Sequence, residues 1–109
     1  MAKTARRTTT LVPIPTLPAP CNVVPRDRTF NVGPEGRHYE LQVSYPSGPD
    51  GCVYITVPDK PWVTTFPRKS EFDLVVRPNP RRTARTATVI VQGNMNRRKH
   101  RVTIKQAGR

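Results

Sequence analysis

The chain has 109 residues, 35% of them hydrophobic, with a formal net charge of +12. That length allows one small domain, and so low an apolar fraction means that part of the chain stands outside any core. No run of about 20 apolar residues exists, so no membrane-spanning helix and no membrane insertion are expected.

Residues 1–27 read as an extended, basic, Pro-rich N-terminal arm. Lys3, Arg6 and Arg7 lead it, and Pro13, Pro15, Pro18 and Pro20 interrupt the apolar residues that follow. Prolines at that density forbid helix and favour polyproline-like extension. They also break up any signal-peptide apolar core, so synthesis in a cytoplasm without secretion is expected. A solvated linker rarely carries so many apolar side chains. Lys3, Arg6, Arg7, Leu11, Ile14 and Leu17 are therefore expected to dock the arm on a partner. Cys21 and Cys52 are far apart in sequence; with no leader free thiols are the default, and a cross-link tying the arm to the domain is the alternative.

Residues 28–109 read as strands throughout. Apolar and polar residues alternate in Thr29–Val32, Tyr39–Val43 and Val53–Val57, and further strand-like runs cover Trp62–Phe66, Phe72–Val76, 84–92 and 100–106. Clusters of Gly, Pro, Asn and Asp separate them at 33–36, 46–51, 58–61, 78–80 and 93–96. Seven short strands at this spacing, with no helix-period segment, predict an all-β, immunoglobulin-like sandwich. In the closing hairpin Val89, Val91, Val102 and Ile104 face a core that also takes Trp62, while Arg101, Thr103 and Lys105 face out.

The charge is concentrated at the chain ends. Residues 28–80 hold six basic and six acidic residues, whereas residues 81–109 hold nine basic and no acidic ones. Arg81, Arg82 and Arg85 stand at one end of the closing hairpin; Arg97, Arg98, Lys99 and Arg101 stand at the other. Arg and Lys at this density suit phosphate or carboxylate without base specificity. These seven residues form the candidate site for an anionic partner. Few aromatics interleave with them, which argues against a single-strand stacking platform. Tyr45 and Tyr54, flanking the 46–51 loop, are the candidate glycan contacts.

Nothing points to catalysis. His38 and His100 have no nucleophile motif beside them, no Gly-rich phosphate loop precedes a helix, and two Cys with two His lack metal-ligand spacing. No enzyme activity, cofactor or metal is expected.

The order of residues in 28–108 resembles the BACON domain. The resemblance is carried by Phe30 with the Gly33–Gly36 turn, Tyr39-Glu40-Leu41-Gln42-Val43, Trp62-Val63, Arg77-Pro78-Asn79, Arg85-Thr86-Ala87-Thr88-Val89 and the terminal Val102-Thr103-Ile104-Lys105-Gln106-Ala107-Gly108. It implies an immunoglobulin-like sandwich and a role in carbohydrate or mucin binding. The family is usual in secreted, multidomain glycan-degrading enzymes of gut bacteria, and it also appears in proteins of their bacteriophages. A basic arm and no catalytic partner domain depart from the secreted pattern and suit a stand-alone virion component. The expected function is thus a structural or decorating part of a large assembly, a bacteriophage capsid or tail, docked on its protein lattice through the basic surface and the arm. The alternatives are a module for acidic glycan or mucin, and a nucleic-acid-associated structural protein such as a ribosomal accessory subunit.

Overall fold

The computed structural model describes residues 21–47, 53–94 and 96–109. The arm residues Lys3, Arg6, Arg7, Leu11, Ile14 and Leu17 lie outside the described residues, as does Cys52. The described residues form eight strands and no helix: β1 (Asn22–Pro25), β2 (Thr29–Val32), β3 (Arg37–Ser47), β4 (Tyr54–Pro58), β5 (Val63–Pro67), β6 (Glu71–Val76), β7 (Arg85–Gly93) and β8 (His100–Gln106).

The strands make two four-stranded sheets, in the orders β1-β3-β6-β5 and β2-β8-β7-β4. β2 runs parallel to β8, and every other pairing is antiparallel. β3, β6 and β5 stand in the places of B, E and D of an immunoglobulin sandwich, and β4, β7 and β8 in those of C, F and G. The first strand is split, so that β1 borders one sheet and β2 the other. This is the all-β sandwich that the alternation predicts.

The core follows the pleat. From the first sheet Val23, Leu41, Val63, Phe72, Leu74 and Val76 point inward; from the second come Val32, Tyr54, Ala87, Val89, Val91, Val102 and Ile104. Alternation in β6, β7 and β8 is strict, so one face of each strand is dry and the other wet. Two glycines permit close approach. Gly36 takes φ +81° in the turn between β2 and β3, and a Cβ on Gly93 would collide with the Cys21 carbonyl.

Three expectations change. Asn22–Pro25 belongs to the sandwich, not to the arm: β1 pairs with β3, and Val23 and Pro25 are buried. A proline there is tolerated because β1 is an edge strand. Trp62 is half-buried and packs against the core rather than within it. Cys21 is no free thiol: it is disulfide-bonded and buried.

Ile104 is fully buried between Ala87 on β7 and Phe30 on β2. Ile104→Ala is expected to cost about 2–5 kcal/mol, read as a shift in the urea midpoint at constant slope. A loss under about 0.5 kcal/mol would contradict this register for β8.

Candidate functional site

The pleat of β8 sets out a basic ridge. Arg101, Thr103 and Lys105 point away from the core, with successive side chains roughly 6.8 Å apart along the strand. Polar residues flank them: Thr88 opposite Thr103 and Thr86 opposite Lys105 on β7, and Thr29 and Asn31 beside the same two residues on β2. No strand of this sheet carries an Asp or Glu. Glu40, Glu71 and Asp73, the carboxylates that lie on strands, all belong to the other sheet. The two faces of the sandwich therefore differ in sign, which the linear order of charges does not show.

Both ends of the ridge are basic. At one end Arg97, Arg98 and Lys99 are exposed in the turn before β8. Their backbone is pinned by Asn96, whose Oδ1 accepts from Arg98 N (2.9 Å), whose Nδ2 donates to Cys21 O (3.1 Å) and whose carbonyl accepts from Gln92 Nε2 (2.7 Å). At the other end Arg81 and Arg82 are exposed in the loop before β7, and Arg109 N donates to Arg81 O at 2.7 Å. The two groups are separated by the length of β8, roughly 20–24 Å for its seven residues. Arg101 and Lys105 bridge the gap, so the predicted cations form one line rather than one pocket.

Arg85 leaves the predicted site. Its Nε donates to Gln106 Oε1 (2.7 Å), its Nη2 to the carbonyls of Arg77 (3.2 Å) and Pro78 (3.0 Å), and its guanidinium carbon lies 4.1 Å from the centre of the Trp62 ring. Loss of water, and then the nearby Arg81 charge, pull its pKa below the ordinary arginine value. A guanidinium with four protein contacts is structural.

The tyrosines leave the predicted glycan site. Tyr54 is only 7% exposed, because β4 turns its even-numbered residues inward. Its hydroxyl donates to the carbonyls of Arg68 (2.5 Å) and Glu71 (3.0 Å), and burial pushes its pKa up to about 12. Tyr45 is half-buried, with its hydroxyl on the Lys69 carbonyl. Both rings brace the 68–71 turn.

The same inversion of β4 exposes residues that the sequence reading passed over. Val53, Ile55 and Val57 are 69%, 53% and 47% exposed on the outer face of the basic sheet. An open groove of about 500 Å³ lies where Val53 and Ile55 meet Gln92, Asn96 and Arg97. The alternation of Val53–Val57 points Val and Ile inward; the structure reverses the phase and buries Tyr54, whose ring supplies the larger apolar surface.

On the opposite sheet Glu40 and Asp73 are directly paired, a repulsive arrangement. Arg68 relieves it, with Nη2 2.8 Å from Asp73, 2.8 Å from Glu71 and 3.4 Å from Glu40. Desolvation draws the Arg68 pKa down, but the three carboxylates outweigh it and hold the group above the ordinary value. The three carboxylates stand close enough together to chelate a cation, and the guanidinium occupies that role.

His100 couples the sheets. It is buried, its Nδ1 lies 3.4 Å from Arg28 Nη2 and its Nε2 lies 3.2 Å from Asn22 Oδ1. Arginine only donates, so Nδ1 accepts and the neutral ring carries its proton on Nε2, towards Asn22. Burial, then Arg28 and Arg98, lower its pKa below 6.5.

No protein-family model matches the chain, and no curated protein sequence matches it. Among solved structures it is similar to an NMR structure of a protein from Bacteroides thetaiotaomicron, at 12% identity and a TM-score of 0.58, covering 91% of this chain and 96% of that one. At that identity the likeness shows the fold alone.

Two outcomes follow from these contacts. Arg85→Ala strands the buried Gln106 Oε1 and is expected to cost about 1–3 kcal/mol, whereas Arg81→Ala and Arg82→Ala should each stay within about 0.5 kcal/mol in urea unfolding. His100 binds its proton less readily folded than unfolded, so its contribution is complete above pH 6.5 and declines as pH falls through 6.5 towards the lower folded pKa. The thermal midpoint should drop over that window in the wild type and drop less in His100→Gln. Parallel pH profiles would assign the acid sensitivity elsewhere.

Proposed function

We propose that this protein is a non-enzymatic structural or decorating component of a large assembly of the bacteriophage-virion kind, held on its lattice by the basic sheet face. The observation that supports this reading best is the separation of charge across the sandwich. One face carries Arg101 and Lys105 between the exposed groups Arg97–Lys99 and Arg81, Arg82 and Arg109, with no carboxylate on any strand of that sheet. An anionic surface meeting it gains attraction from the ridge and both its ends, the one carboxylate held against these strands being Asp59, beside Thr88 on β7.

The resemblance to BACON domains, which occur in phage proteins as well as in secreted enzymes, points the same way for a stand-alone chain with a basic arm. The glycan-binding alternative loses support, because both candidate tyrosines are engaged inside the protein. The nucleic-acid alternative draws on the same ridge. Thr and Asn side chains flank the cations there, and no aromatic ring on the face is placed to stack a base, so such binding would follow the phosphate backbone alone.

The experiment is density-gradient fractionation of producing cells, with the chain followed by antibody. Recovery with assembled particles is expected, and release from them as salt rises from about 0.01 M to about 1 M, where the screening length falls from roughly 30 Å to 3 Å. The triple variant Arg97→Glu, Arg98→Glu, Lys99→Glu should be recovered free of particles while keeping the wild-type thermal midpoint. Recovery of wild type only in soluble or ribosomal fractions would refute the reading.

A further inference from the structure

The basic ridge ends in a feature that docking by charge alone does not require. Lys105 on β8 stands between Asn31 on β2 and Thr86 on β7, its partners in register. Adjacent strands lie about 4.8 Å apart, so the three side chains rise from the outer face within a span of roughly 10 Å. All three residues are exposed. Among the described residues, no hydrogen bond or ion pair occupies any of these side chains, so their donors are available to a ligand.

The surface beside them is cut low. Arg85 pairs with Gln106, and one step further along the same register Ala84 comes opposite Ala107. Both alanines are exposed, and their small side chains leave a shallow recess of about 320 Å³ next to Asn31, Thr86 and Lys105. Val32, Arg85 and Gln106 also line it, but they turn inward: Val32 and Gln106 are buried, and Arg85 holds Gln106 Oε1. The polar side chains that face the recess are therefore those of Asn31, Thr86 and Lys105. No lining residue is acidic. Arg81, Arg82 and Arg109 stand exposed at the same end of the sheet, and Glu35, in the turn after β2, stands over Gly33 without pairing to Lys105.

The donor set selects among anions. A lysine ammonium is a compact point charge with three donors, whereas planar bidentate pairing with a carboxylate is the property of arginine. Asn31 adds an amide N–H from one side and Thr86 a hydroxyl from the other. Donors arriving from three directions suit an acceptor whose oxygens point in three directions. A tetrahedral oxoanion has that shape, a planar carboxylate does not, and chloride would meet only the charge. No aromatic ring lines the recess, so it takes the charged group of a ligand and leaves the remainder outside.

We propose that Lys105, with Asn31 and Thr86 on either side, forms a subsite for one tetrahedral oxoanion, the phosphoryl or sulfuryl group of a ligand, in the recess over Ala84 and Ala107. The inference goes beyond docking on a lattice, because it concerns a discrete site that the chain carries by itself. The two are tested apart: the chain can hold an oxoanion whether or not it is recovered with particles. Arg81, Arg82 and Arg109 draw the anion to this end of the sheet, and the Asn31-Lys105-Thr86 row holds it there.

The test is an NMR titration of the isotope-labelled full-length chain at constant ionic strength, with sodium phosphate, sulfate, acetate and chloride as probes. Phosphate and sulfate are each expected to move the backbone signals of Asn31, Thr86 and Lys105, and the Asn31 side-chain amide, along a saturating curve. Acetate and chloride should move them less and without saturation. Lys105→Gln should weaken phosphate binding about tenfold or more, and Asn31→Ala and Thr86→Val about threefold each. Lys69→Gln, which takes the same charge from the turn between β5 and β6, should leave it unchanged. All four residues are exposed, so the variants should keep the wild-type fold, read from the same spectra. Phenyl phosphate and phenyl sulfate then separate a phosphoryl source from a sulfuryl one, and saturable binding of either upholds the site. Unsaturated shifts with all four salts would overturn the proposal. So would an equal response to acetate, shifts centred away from the Asn31-Lys105-Thr86 row, or wild-type affinity in Lys105→Gln.

Discussion

One end of the sandwich depends on the Arg85 guanidinium. It lies on the Trp62 ring, reaches the Arg77 and Pro78 carbonyls and holds Gln106 Oε1. Gln106 is almost wholly buried, and its Nε2 in turn donates to Gly33 O (3.1 Å) and Arg77 O (2.9 Å). Beside it the buried Asn79 donates to Thr83 O and Ala107 O and accepts from Arg81 N. Four segments distant in sequence meet there, around Gly33, Trp62, residues 77–85 and Gln106, and Gln106 and Asn79 both have partners, as a low-dielectric site requires. Trp62, Arg77-Pro78-Asn79, Arg85, Gln106 and Gly108, all singled out in the sequence, converge on this network. A Cβ on Gly108 would strike the Arg82 carbonyl.

The fold also sorts charge. Pleating sends Arg101 and Lys105 out on one sheet and Glu40, Glu71 and Asp73 out on the other. On the acidic side Arg68 gathers Glu40, Glu71 and Asp73 into a local network and offsets part of their charge. On the basic side, no ion pair involves Arg81, Arg82, Arg97, Arg98, Lys99, Arg101 or Lys105 among the described residues. Most of the long-range potential of the sandwich therefore comes from one face and its two ends.

Much of this architecture was legible in the sequence, where one phase of a strand is apolar and the other polar. β6, β7 and β8 have that pattern, and in β7 and β8 the inward Val89, Val91, Val102 and Ile104 are the predicted ones. β4 has it in reverse: Val53, Ile55 and Val57 form the more apolar phase, yet Tyr54 lies inside because its ring fills the core while its hydroxyl finds carbonyl partners. β1 was hidden because Pro20 and Pro25 bracket it, and proline-rich sequence reads as arm although an edge strand tolerates a proline. Within the basic segment, composition gave the cations but not their tasks. Arg85 and Arg81 are four residues apart in one basic stretch; the nearness of Trp62 and Gln106, brought by other strands, is what makes Arg85 structural while Arg81 stays exposed.

The parallel pairing of β2 with β8 has a consequence for how the protein is made. Phe30 lies opposite Ile104, so one of the earliest strands waits for one of the latest. β8 is also the neighbour of β7, and its Val102 and Ile104 complete the core. Until β8 has left the ribosome, β7 has only β4 beside it, β2 has no strand beside it, and the apolar faces of both sheets lack their cover. Topologies so dominated by distant contacts form slowly. A nascent chain of this topology carries its earlier strands without β8 until the end of synthesis, and six of the nine basic residues of 81–109 arrive with residues 97–109, which include β8.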